Sequence, residues 1–546
     1  EVVTADFNGD GLTDLGLYDK TTGRIVSRPS TGAAFGAPVT LPLTFSLRSA
    51  DDHVQVGEFN GDGLADPAVF SSTSSATELA RSQGTSPDLL STIANGIGGT
   101  TTLAYQPSTQ ADNGGTQIPF VLPLVQAVIV EDGMGHAITT RYVYQQGRYD
   151  APTKEFRGFG RAEVRDAEGT VAITAFHQDE LMKGRPSLQE VRDATGNLWT
   201  TSVPTWSTVD PYPGVHVTRL DQTEASICDG DTICRTTRSR FQYDGFGNVT
   251  RTEELGESIV GDERTTETTY AVNEPAWIVG TPSLLRTLDA GGALVAQRRF
   301  TYDAASRLTK EEEWLKDAGG ERWLATALAY DGFGNVTSVT DALGRTTTNA
   351  YDATGIYLTK ITNAIGHTRQ LTYDPRFGVV STSTDPNGQR TVTTYDEWGQ
   401  LSSVAGPNDN VSWPAVQYHY DPCTASDTCR APLETTVSTR ERSGTDPALK
   451  TYVVTDGLGR VIQTRSPAED PTQQVVTGTV GLNAKGQVVK QWVPYLDPTS
   501  TRYVPAPTAS LAPPVTYTYD PLGRLLTITD PDGSVTKTDY QDGTVT

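Results

Sequence analysis

The sequence predicts an all-β protein built mainly from a long series of short β-hairpins. Three observations lead to this prediction. Val, Leu, Thr and Tyr occur in short apolar runs along the whole chain, Tyr-Asp dipeptides recur, and the fullest copies are spaced by little more than 20 residues. Short alternating runs are typical of strands, and a fixed period is typical of a repeat array. We therefore expect little helix and many hairpins.

Length and charge narrow the classes of protein. A chain of 546 residues is too long for one ordinary core, so we expect two to four domains or one large repeat array. A net charge of −23 repels phosphate backbones, which argues against nucleic-acid binding. The longest apolar run, at positions 118–130, contains two prolines and a glutamine and is shorter than the about 20 residues of a membrane helix. We interpret it as paired strands and expect no membrane span.

Tyr-Asp is the most frequent phrase of this sequence. It occurs ten times, where about three copies are expected by chance. The copies begin at Tyr18, Tyr149, Tyr243, Tyr302, Tyr330, Tyr351, Tyr373, Tyr395, Tyr420 and Tyr519. From Tyr330 to Tyr420, successive copies begin 21, 22, 22 and 25 residues apart. That spacing fits one hairpin per repeat, with tyrosine rings packing across neighbouring strands.

The fullest copies, "YDGFGNVT" at Tyr330 and "YDPLGRLL" at Tyr519, place Gly three residues after Asp. Asp and Gly at this spacing favour a type I turn, with Gly in the left-handed conformation of a bulge. "DALGRT" at Asp341, "DGLGRVIQT" at Asp456 and "NAIGHT" at Asn363 carry the same turn without Tyr. We therefore interpret these aspartates as turn formers and not as catalytic acids.

These phrases, with "YDEWGQLSSV" at Tyr395, resemble the YD repeats of Rhs proteins, teneurins and the B and C components of insecticidal toxin complexes. The resemblance covers roughly residues 240–546. It implies a hollow β-shell of wound hairpins around a toxic polypeptide.

Two amino-terminal phrases, "DFNGDGLTD" and "EFNGDGLAD", predict calcium-binding loops 52 residues apart. Each places oxygen-bearing side chains at alternate positions of a tight Gly-containing loop, and a backbone carbonyl completes the set. The candidate ligands are Asp6, Asn8, Asp10, Leu12 and Asp14 in the first loop, and Glu58, Asn60, Asp62, Leu64 and Asp66 in the second. An EF-hand is excluded because its twelfth position falls on Leu17 and Val69. An empty Asx-rich turn remains the alternative, since Glu58 is an unusual first ligand.

The strand-like segments after these loops, "LGLYD" and "PAVF", and the 52-residue period resemble FG-GAP (VCBS) blades of a β-propeller. About one and a half blades are present, so we expect the remainder before Glu1 or in another chain. The sequence is accordingly expected to be a piece of a longer protein.

The segment between the blades and the array contains "LLSTIANGIGGTTTLAYQPST" at Leu89 and "EFRGFGRAEVRD" at Glu155. Each alone reads as a glycine turn or an aromatic turn. Together they resemble the middle segments of toxin-complex B components and SpvB-like proteins. The order of segments also matches a B component. We predict partial propeller blades at 1–75, toxin-complex middle segments at 76–240 and a YD-repeat β-shell at 241–546.

Four cysteines form two similar pairs, Cys228 with Cys234 and Cys423 with Cys429. Five small or polar residues separate the members of each pair, so a local disulfide is geometrically feasible and would indicate an oxidising compartment. Free thiols remain open. A zinc site that includes His419 also remains open, although no fourth ligand with finger spacing is evident.

The sequence contains no Walker loop, HExxH, CxxC or GxSxG motif, and its six histidines are scattered. We therefore predict no catalytic residues and no enzyme. A polysaccharide-active enzyme would need paired carboxylates beside tryptophan, and the only hint is Glu311 to Glu313 near Trp314 and Trp323. We expect that acidic run to be a solvated strand edge or a loop.

The resemblance implies a secreted structural component of a toxin complex. Its partners would be a C-component or Rhs core that carries the toxin, and a pore-forming translocation component docked by the propeller. The alternative is a cell-surface YD-repeat protein for adhesion or contact-dependent competition, which would bind carbohydrate or protein.

Overall fold

A computed structural model describes the chain at residues 1–7, 12–41, 43–59, 65–81, 89–115, 118–257, 261–409, 411–420, 431–442, 448–506 and 513–540. These residues form 41 β-strands and two single-turn 3-10 helices, Ser108–Gln110 and Glu274–Ala276. No α-helix lies in the described ranges, and none of their helices has the length and apolarity that crossing a membrane requires. The all-β prediction is confirmed.

The chain forms two compact units. Unit 1 comprises residues 1–95, 100–131 and 135–189; unit 2 comprises residues 96–99, 132–134 and 190–546. This division is coarser than the three segments expected from the sequence, and the three-way division stays a prediction.

Unit 1 contains three groups of antiparallel strands. The first sheet is formed by β1 Val2–Ala5, β2 Asp14–Asp19, β3 Arg24–Arg28 and β4 Val39–Thr40, and the second by β5 Asp52–Gly57, β6 Asp66–Ser71 and β7 Thr77–Leu79. The third group is β8 Thr92–Ala94, β9 Thr100–Pro107, β10 Pro123–Glu131, β11 Ala137–Asp150, β12 Glu155–Arg165 and β13 Val171–Phe176, paired in that order.

The two small sheets share one apolar core. Alternate residues of their strands, Tyr18, Ile25, Val54 and Val69, are buried together with Phe45. Period-two burial of this kind is expected when one face of a sheet packs and the other is solvated. The two candidate calcium phrases lie between β1 and β2 and between β5 and β6, so both connect the first and second strands of a small sheet.

Strand β14, Pro186–Arg192, spans the boundary between the units. In unit 2 each strand from β15 to β35 pairs antiparallel with the next in chain order, and β38 follows β35. The strands are β15 Leu198–Tyr212, β16 Val215–Ile227, β17 Arg235–Tyr243, β18 Val249–Glu254, β19 Arg264–Asn273, β20 Ile278–Leu288, β21 Leu294–Tyr302, β22 Leu308–Asp317, β23 Gly320–Tyr330, β24 Val336–Thr340, β25 Thr346–Tyr351, β26 Leu358–Thr362, β27 Thr368–Asp374, β28 Val379–Thr384, β29 Arg390–Tyr395, β30 Leu401–Ala405, β31 Val416–Tyr420, β32 Leu433–Thr439, β33 Leu449–Thr455, β34 Val461–Pro467, β35 Gln473–Thr477 and β38 Tyr495–Pro498.

A smaller five-stranded sheet completes unit 2. Its order is β36 Val480–Leu482, β37 Val488–Gln491, β39 Val515–Tyr519, β40 Leu525–Thr529 and β41 Val535–Lys537. Unit 2 therefore consists of one long sheet of successive hairpins and one short sheet of the same hairpin type.

Candidate functional site

The repeated turn has one geometry, which Asp331 illustrates. Its Oδ1 accepts the backbone N–H groups of Phe333 and Asn335, both at 2.9 Å. Gly334 has a φ of +93° and donates its N–H to the Asp331 carbonyl. The register shifts by one residue just before Tyr330, which is the bulge expected from the sequence. The same two bonds to the side-chain oxygen occur at Asp244, Asp303, Asp341, Asn363, Asp385, Asp396 and Asp456.

Because each turn oxygen satisfies two backbone donors, these aspartates are structural, as the sequence predicted. Glycine is favoured at the fourth position because an L side chain rarely adopts a positive φ. Ser306 occupies that place in one turn, with a φ of +59°.

The hydroxyl groups of the repeat tyrosines donate hydrogen bonds to backbone carbonyls of neighbouring strands. Tyr330 donates to the carbonyl of Leu308 at 2.7 Å, and Tyr395 donates to the carbonyl of Val380 at 2.9 Å. In each case the acceptor lies on the strand immediately before the tyrosine in the sheet. The same bond is made by Tyr243, Tyr302, Tyr351, Tyr373, Tyr420 and Tyr519, and by Tyr270 outside the Tyr-Asp set. The sequence predicted ring packing between strands but not this bond.

Replacing Tyr395 by Phe removes one such bond and keeps the ring. We expect Tyr395→Phe to lower the free energy of unfolding of unit 2 by about 1 kcal/mol, and Tyr373→Phe with Tyr395→Phe by about twice as much, because the two hydroxyls have separate acceptors. Urea unfolding, with hydrogen exchange as a second readout, would measure these losses in the free energy of unfolding. Tyr212→Phe, at a 71% exposed position, is the control; equal losses at Tyr212 and Tyr395 would contradict the role of the bond.

The turn carboxylates should make the array sensitive to acid. Hydrogen bonds from the Arg345 side chain and its backbone N–H lower the pKa of Asp341, and the corresponding bonds from the backbone and side chain of Arg307 lower the pKa of Asp303. A lowered pKa in the folded state stabilises the fold above the unfolded pKa of about 3.9, and this stability is lost as the pH falls through the folded value.

We therefore expect the urea midpoint of unit 2 to fall steeply below about pH 4. Between pH 5 and pH 3, about two units around the unfolded pKa, the urea midpoint of the double variant Asp303→Asn, Asp341→Asn should fall less steeply than that of the unsubstituted chain. Parallel curves for the two proteins would contradict this assignment.

The two faces of the sheet differ in chemistry between β24 and β30. The face opposite the tyrosines carries cross-strand hydroxyl pairs, Thr340 with Thr346 at 2.8 Å and Thr394 with Ser403 at 2.7 Å among them. Ala, Ser and Thr dominate this face; its charged residues in these strands are Lys360, Arg390 and, at the end of β27, Asp374. We call it the hydroxyl face.

The phrase "FRGFG" in unit 1 builds an aromatic cluster. Phe156 and Phe159 have ring centroids 5.6 Å apart, and Phe120 lies 5.9 Å from Phe156 and 5.8 Å from Tyr149. Arg157, between the two phenylalanines, is buried and pairs with Asp150 at 3.2 Å and with Glu180 at 2.5 Å. The phrase is therefore a packing element of unit 1.

Three glycine-rich turns meet in unit 2, at residues 96–99, 132–134 and 456–460. Gly457 donates its N–H to the carbonyl of Asp132 at 2.8 Å. Arg460 contacts the carboxylate of Asp132 at 3.3 Å and that of Asp456 at 2.6 Å. Both carboxylates are almost fully buried. We call this group the three-turn seam.

The disulfide loop of unit 2 holds a similar contact. Cys228 is bonded to Cys234, and Asp229 in that loop has a φ of +52° and accepts Arg524 Nη2 at 2.6 Å. The Arg524 guanidinium also lies 4.4 Å from the centre of the Tyr540 ring. The second cysteine pair, Cys423 and Cys429, lies outside the described residues.

A buried arginine lies where the long sheet ends. Arg465 has no exposed surface and donates to Gln474 at 2.9 Å, to Asp497 at 2.6 Å and to the carbonyl of Pro498 at 2.7 Å. The side-chain amide of Gln463, equally buried, donates to the carbonyl of Val504 at 2.7 Å. Strands β34, β35 and β38 are thus joined through one guanidinium.

The candidate calcium loops are described at five positions, Asp6, Leu12, Asp14, Glu58 and Asp66; the other five candidate ligands lie outside the described residues. Asp14 is fully buried and accepts the N–H groups of Phe7 at 3.2 Å and Ser30 at 2.7 Å. Asp66, also buried, accepts the N–H of Phe59 at 3.2 Å. The described residues contain no group of three or more acidic, His or Cys side chains placed to hold a metal.

These oxygens still fit a hard cation, because each carboxylate oxygen keeps lone pairs beyond its N–H bond. The same contact, from the residue seven positions before the last aspartate, closes both loops. Calcium remains a proposal.

The acidic run at Glu311 to Glu313 is solvated at Glu313, whose side chain is 61% exposed, but it does not lie at the strand edge or in the loop that we expected. It lies within β22, and Glu312 is 7% exposed. Glu312 accepts both Arg299 Nε at 2.6 Å and Arg299 Nη2 at 2.8 Å. These bonds, with Lys310 at 2.9 Å, lower the pKa of Glu312 to about 2. The Arg299 guanidinium lies 4.1 Å from the Trp323 ring centre. Glu312 is therefore held as the ionised acceptor of a buried ion pair with Arg299.

Sequence reasoning missed Arg460, Arg465 and Arg524 as contact residues. A signal for two of them was present: Arg follows Gly in "DGLGR" and "DPLGR". Arg465 stands in an ordinary strand pattern, and its burial had no sequence signal.

Parts of the chain match two known protein families. Residues 26–185 match the family described as the insecticide toxin TcdB middle/N-terminal region, and residues 330–356 and 509–546 match Rhs repeats. No curated protein sequence matches the chain.

The fold is shared with solved toxin assemblies. The crystal structure of TcdB2-TccC3 has a TM-score of 0.81 at 17% identity over 99% of this chain and 38% of that one. The TcdB2-TccC3-Cdc42 crystal structure has a TM-score of 0.79 at 16% identity, over 98% of this chain and 40% of that one. The Photorhabdus luminescens Tc holotoxin pore has a TM-score of 0.78 at 15% identity, over 99% and 39%. The chain thus spans about two fifths of the solved chains, and the fold-class prediction is confirmed.

Proposed function

We propose that this chain is a structural, non-enzymatic part of a secreted Tc-type toxin. Its YD-repeat sheet would form part of a shell that encloses a toxic polypeptide, together with a Rhs-repeat partner that carries the toxin. Its amino-terminal sheets would belong to an FG-GAP propeller that docks a pore-forming translocation component. The shared fold with TcdB2 in complex with TccC3 is the observation that carries the proposal.

The chemistry of the long sheet supports a container. A wall that holds an unfolded polypeptide must offer it few fixed charges and few unpaired strand edges. Between β24 and β30 the hydroxyl face pairs hydroxyl groups with one another across strands, and each strand from β16 to β35 lies between two neighbouring strands. The disulfide between Cys228 and Cys234 supports an oxidising, extracellular location.

Protection of a cargo tests the container. The full-length protein would be co-expressed with a Rhs-repeat partner that carries a protease-sensitive reporter in place of the toxin. We expect the reporter in the purified assembly to survive a protease that digests the free reporter. Digestion at the free rate in an intact assembly would overturn the proposal, and tight binding of the isolated protein to cell-surface glycans would then favour the adhesion alternative.

Calcium binding by the two loops is a separate prediction. At a calcium concentration of 100 times the Kd, each bound ion is expected to stabilise the amino-terminal sheets by about 2.7 kcal/mol. Thermal unfolding with calcium and with a chelator would measure the shift.

The double variant Asp14→Asn, Asp66→Asn should remove the calcium dependence of the melting temperature. Asp19→Asn, in a turn outside both loops, should retain it. A melting temperature of the unsubstituted chain that does not respond to calcium would leave the loops as Asx-rich turns.

A further inference from the structure

Three turns of unit 2 share the pattern Asp-x-Leu-Gly-Arg: residues 341–345, 456–460 and 520–524. In each turn the Arg Nε donates to the Oδ2 of the turn's own aspartate, at 2.7, 2.6 and 2.6 Å. The three arginines are therefore held in the same way by their own turn aspartates.

Two of these turns receive an Asp-Gly turn from a distant part of the sequence. Arg460 contacts Asp132, which precedes Gly133 with a φ of +72°. Arg524 contacts Asp229, which precedes Gly230 with a φ of +85°. The paired residues are 328 and 295 positions apart. The same contact, between the arginine of an Asp-x-Leu-Gly-Arg turn and the aspartate of a distant Asp-Gly turn, thus occurs twice.

Among the residues that the structure describes, the third turn has no such partner. The side chain of Arg345 is 65% exposed, against 31% for Arg460 and 27% for Arg524. Leu343, at the turn tip, is 77% exposed. In the described part of the chain, Arg345 bonds only to Asp341 of its own turn.

Arg307 shows that a repeat arginine can also bond to a neighbouring turn of the sheet. It follows Asp303 at the same spacing, but it donates to the carbonyl of Asp331 in the neighbouring Tyr-Asp turn at 3.1 Å and stacks 5.0 Å from the Tyr330 ring centre. Arg307 is therefore bonded to a neighbouring turn, whereas Arg345 is bonded within its own turn and is exposed to solvent.

We propose that the turn at residues 341–345 docks an Asp-Gly turn of a second polypeptide. The incoming carboxylate would accept a hydrogen bond from Arg345 Nη2, as Asp132 and Asp229 accept from Nη2 of Arg460 and Arg524, and an apolar neighbour would cover Leu343. The inference rests on the proposed function, because it assigns the recognition element for the Rhs-repeat partner.

A hairpin peptide tests this contact with the full chain. The peptide carries the sequence of residues 128–140, closed by a terminal disulfide, with a photoreactive group in place of Met134. We expect cross-links to map to residues 341–345 and to fall at least about tenfold with Arg345→Met in the chain or with Asp132→Asn in the peptide, because charge-assisted bonds to Arg are lost. Arg376→Met is the matched control, since Arg376 is 60% exposed and also pairs with its own turn aspartate.

Cross-links elsewhere, or a yield unchanged by either substitution, would overturn the docking turn. The outcome is separable from the container proposal. The peptide experiment needs no assembled shell, and protease protection of a cargo can fail or succeed whatever the peptide does.

Discussion

Gly457→Ala is expected to lower the free energy of unfolding of unit 2 by about 3 kcal/mol, whereas Gly332→Ala is expected to change it by less than about 1 kcal/mol. The two glycines occupy the same position, directly after the turn aspartate, and neither has a positive φ. Conformational freedom is therefore matched, and only the surroundings differ.

The surroundings of Gly457 are backbone atoms of the three-turn seam. A Cβ at this position would lie 2.5 Å from the Gly99 nitrogen, 2.6 Å from the Asp132 carbonyl oxygen and 2.6 Å from the Gly98 carbonyl carbon. Backbone cannot move aside as a flexible side chain can, so the turns must separate and the bond from Gly457 N–H to Asp132 weakens. At Gly332 nothing lies within 4 Å, and alanine there restricts the unfolded chain more than the folded one.

Urea unfolding combined with hydrogen exchange of the turns at 96–99, 132–134 and 456–460 would measure this effect. Faster exchange confined to these turns is expected for Gly457→Ala. A loss below about 1 kcal/mol, or an equal loss for Gly332→Ala, would show that the seam tolerates separation.

Arg465→Met is expected to lower the free energy of unfolding of unit 2 by about 3 to 5 kcal/mol, the range observed when one partner of a buried ion pair is removed. Asp497 would keep its charge with no partner, and Gln474 would lose its donor. Methionine fills much of the volume, so the loss reports the missing hydrogen bonds and charge rather than a cavity.

Two further variants sharpen the result. Arg345→Met, at a 65% exposed side chain, is expected to change stability by no more than about 0.5 kcal/mol. Arg465→Met combined with Asp497→Asn should recover part of the loss, because the unpaired charge is removed. A loss that the second substitution does not reduce would contradict the ion pair as its cause.

The local unit of this protein could be predicted from sequence because its causes are local. Asp331, Gly334 and Tyr330 lie within five residues of one another, and the N–H groups that Asp331 accepts belong to the same turn. A turn of this kind fixes the register of its hairpin, and alternation fixes the faces of its strands. The order of segments also indicated the toxin-complex resemblance. The metal positions and the second cysteine pair remain predictions.

Contacts between residues far apart in sequence could not be predicted and are seen only in the folded chain. "DALGR", "DGLGR" and "DPLGR" read alike, yet Arg460 meets Asp132, Arg524 meets Asp229 and Arg345 stays exposed. Likewise Glu312 reads as one of three acidic residues but is the one turned onto Arg299. The hairpins were predictable because the conformation of a turn depends on only a few consecutive residues. Which distant turns become neighbours depends on the number of hairpins between them and on the accumulated twist of the sheet. Both are properties of the whole folded sheet and not of any single turn.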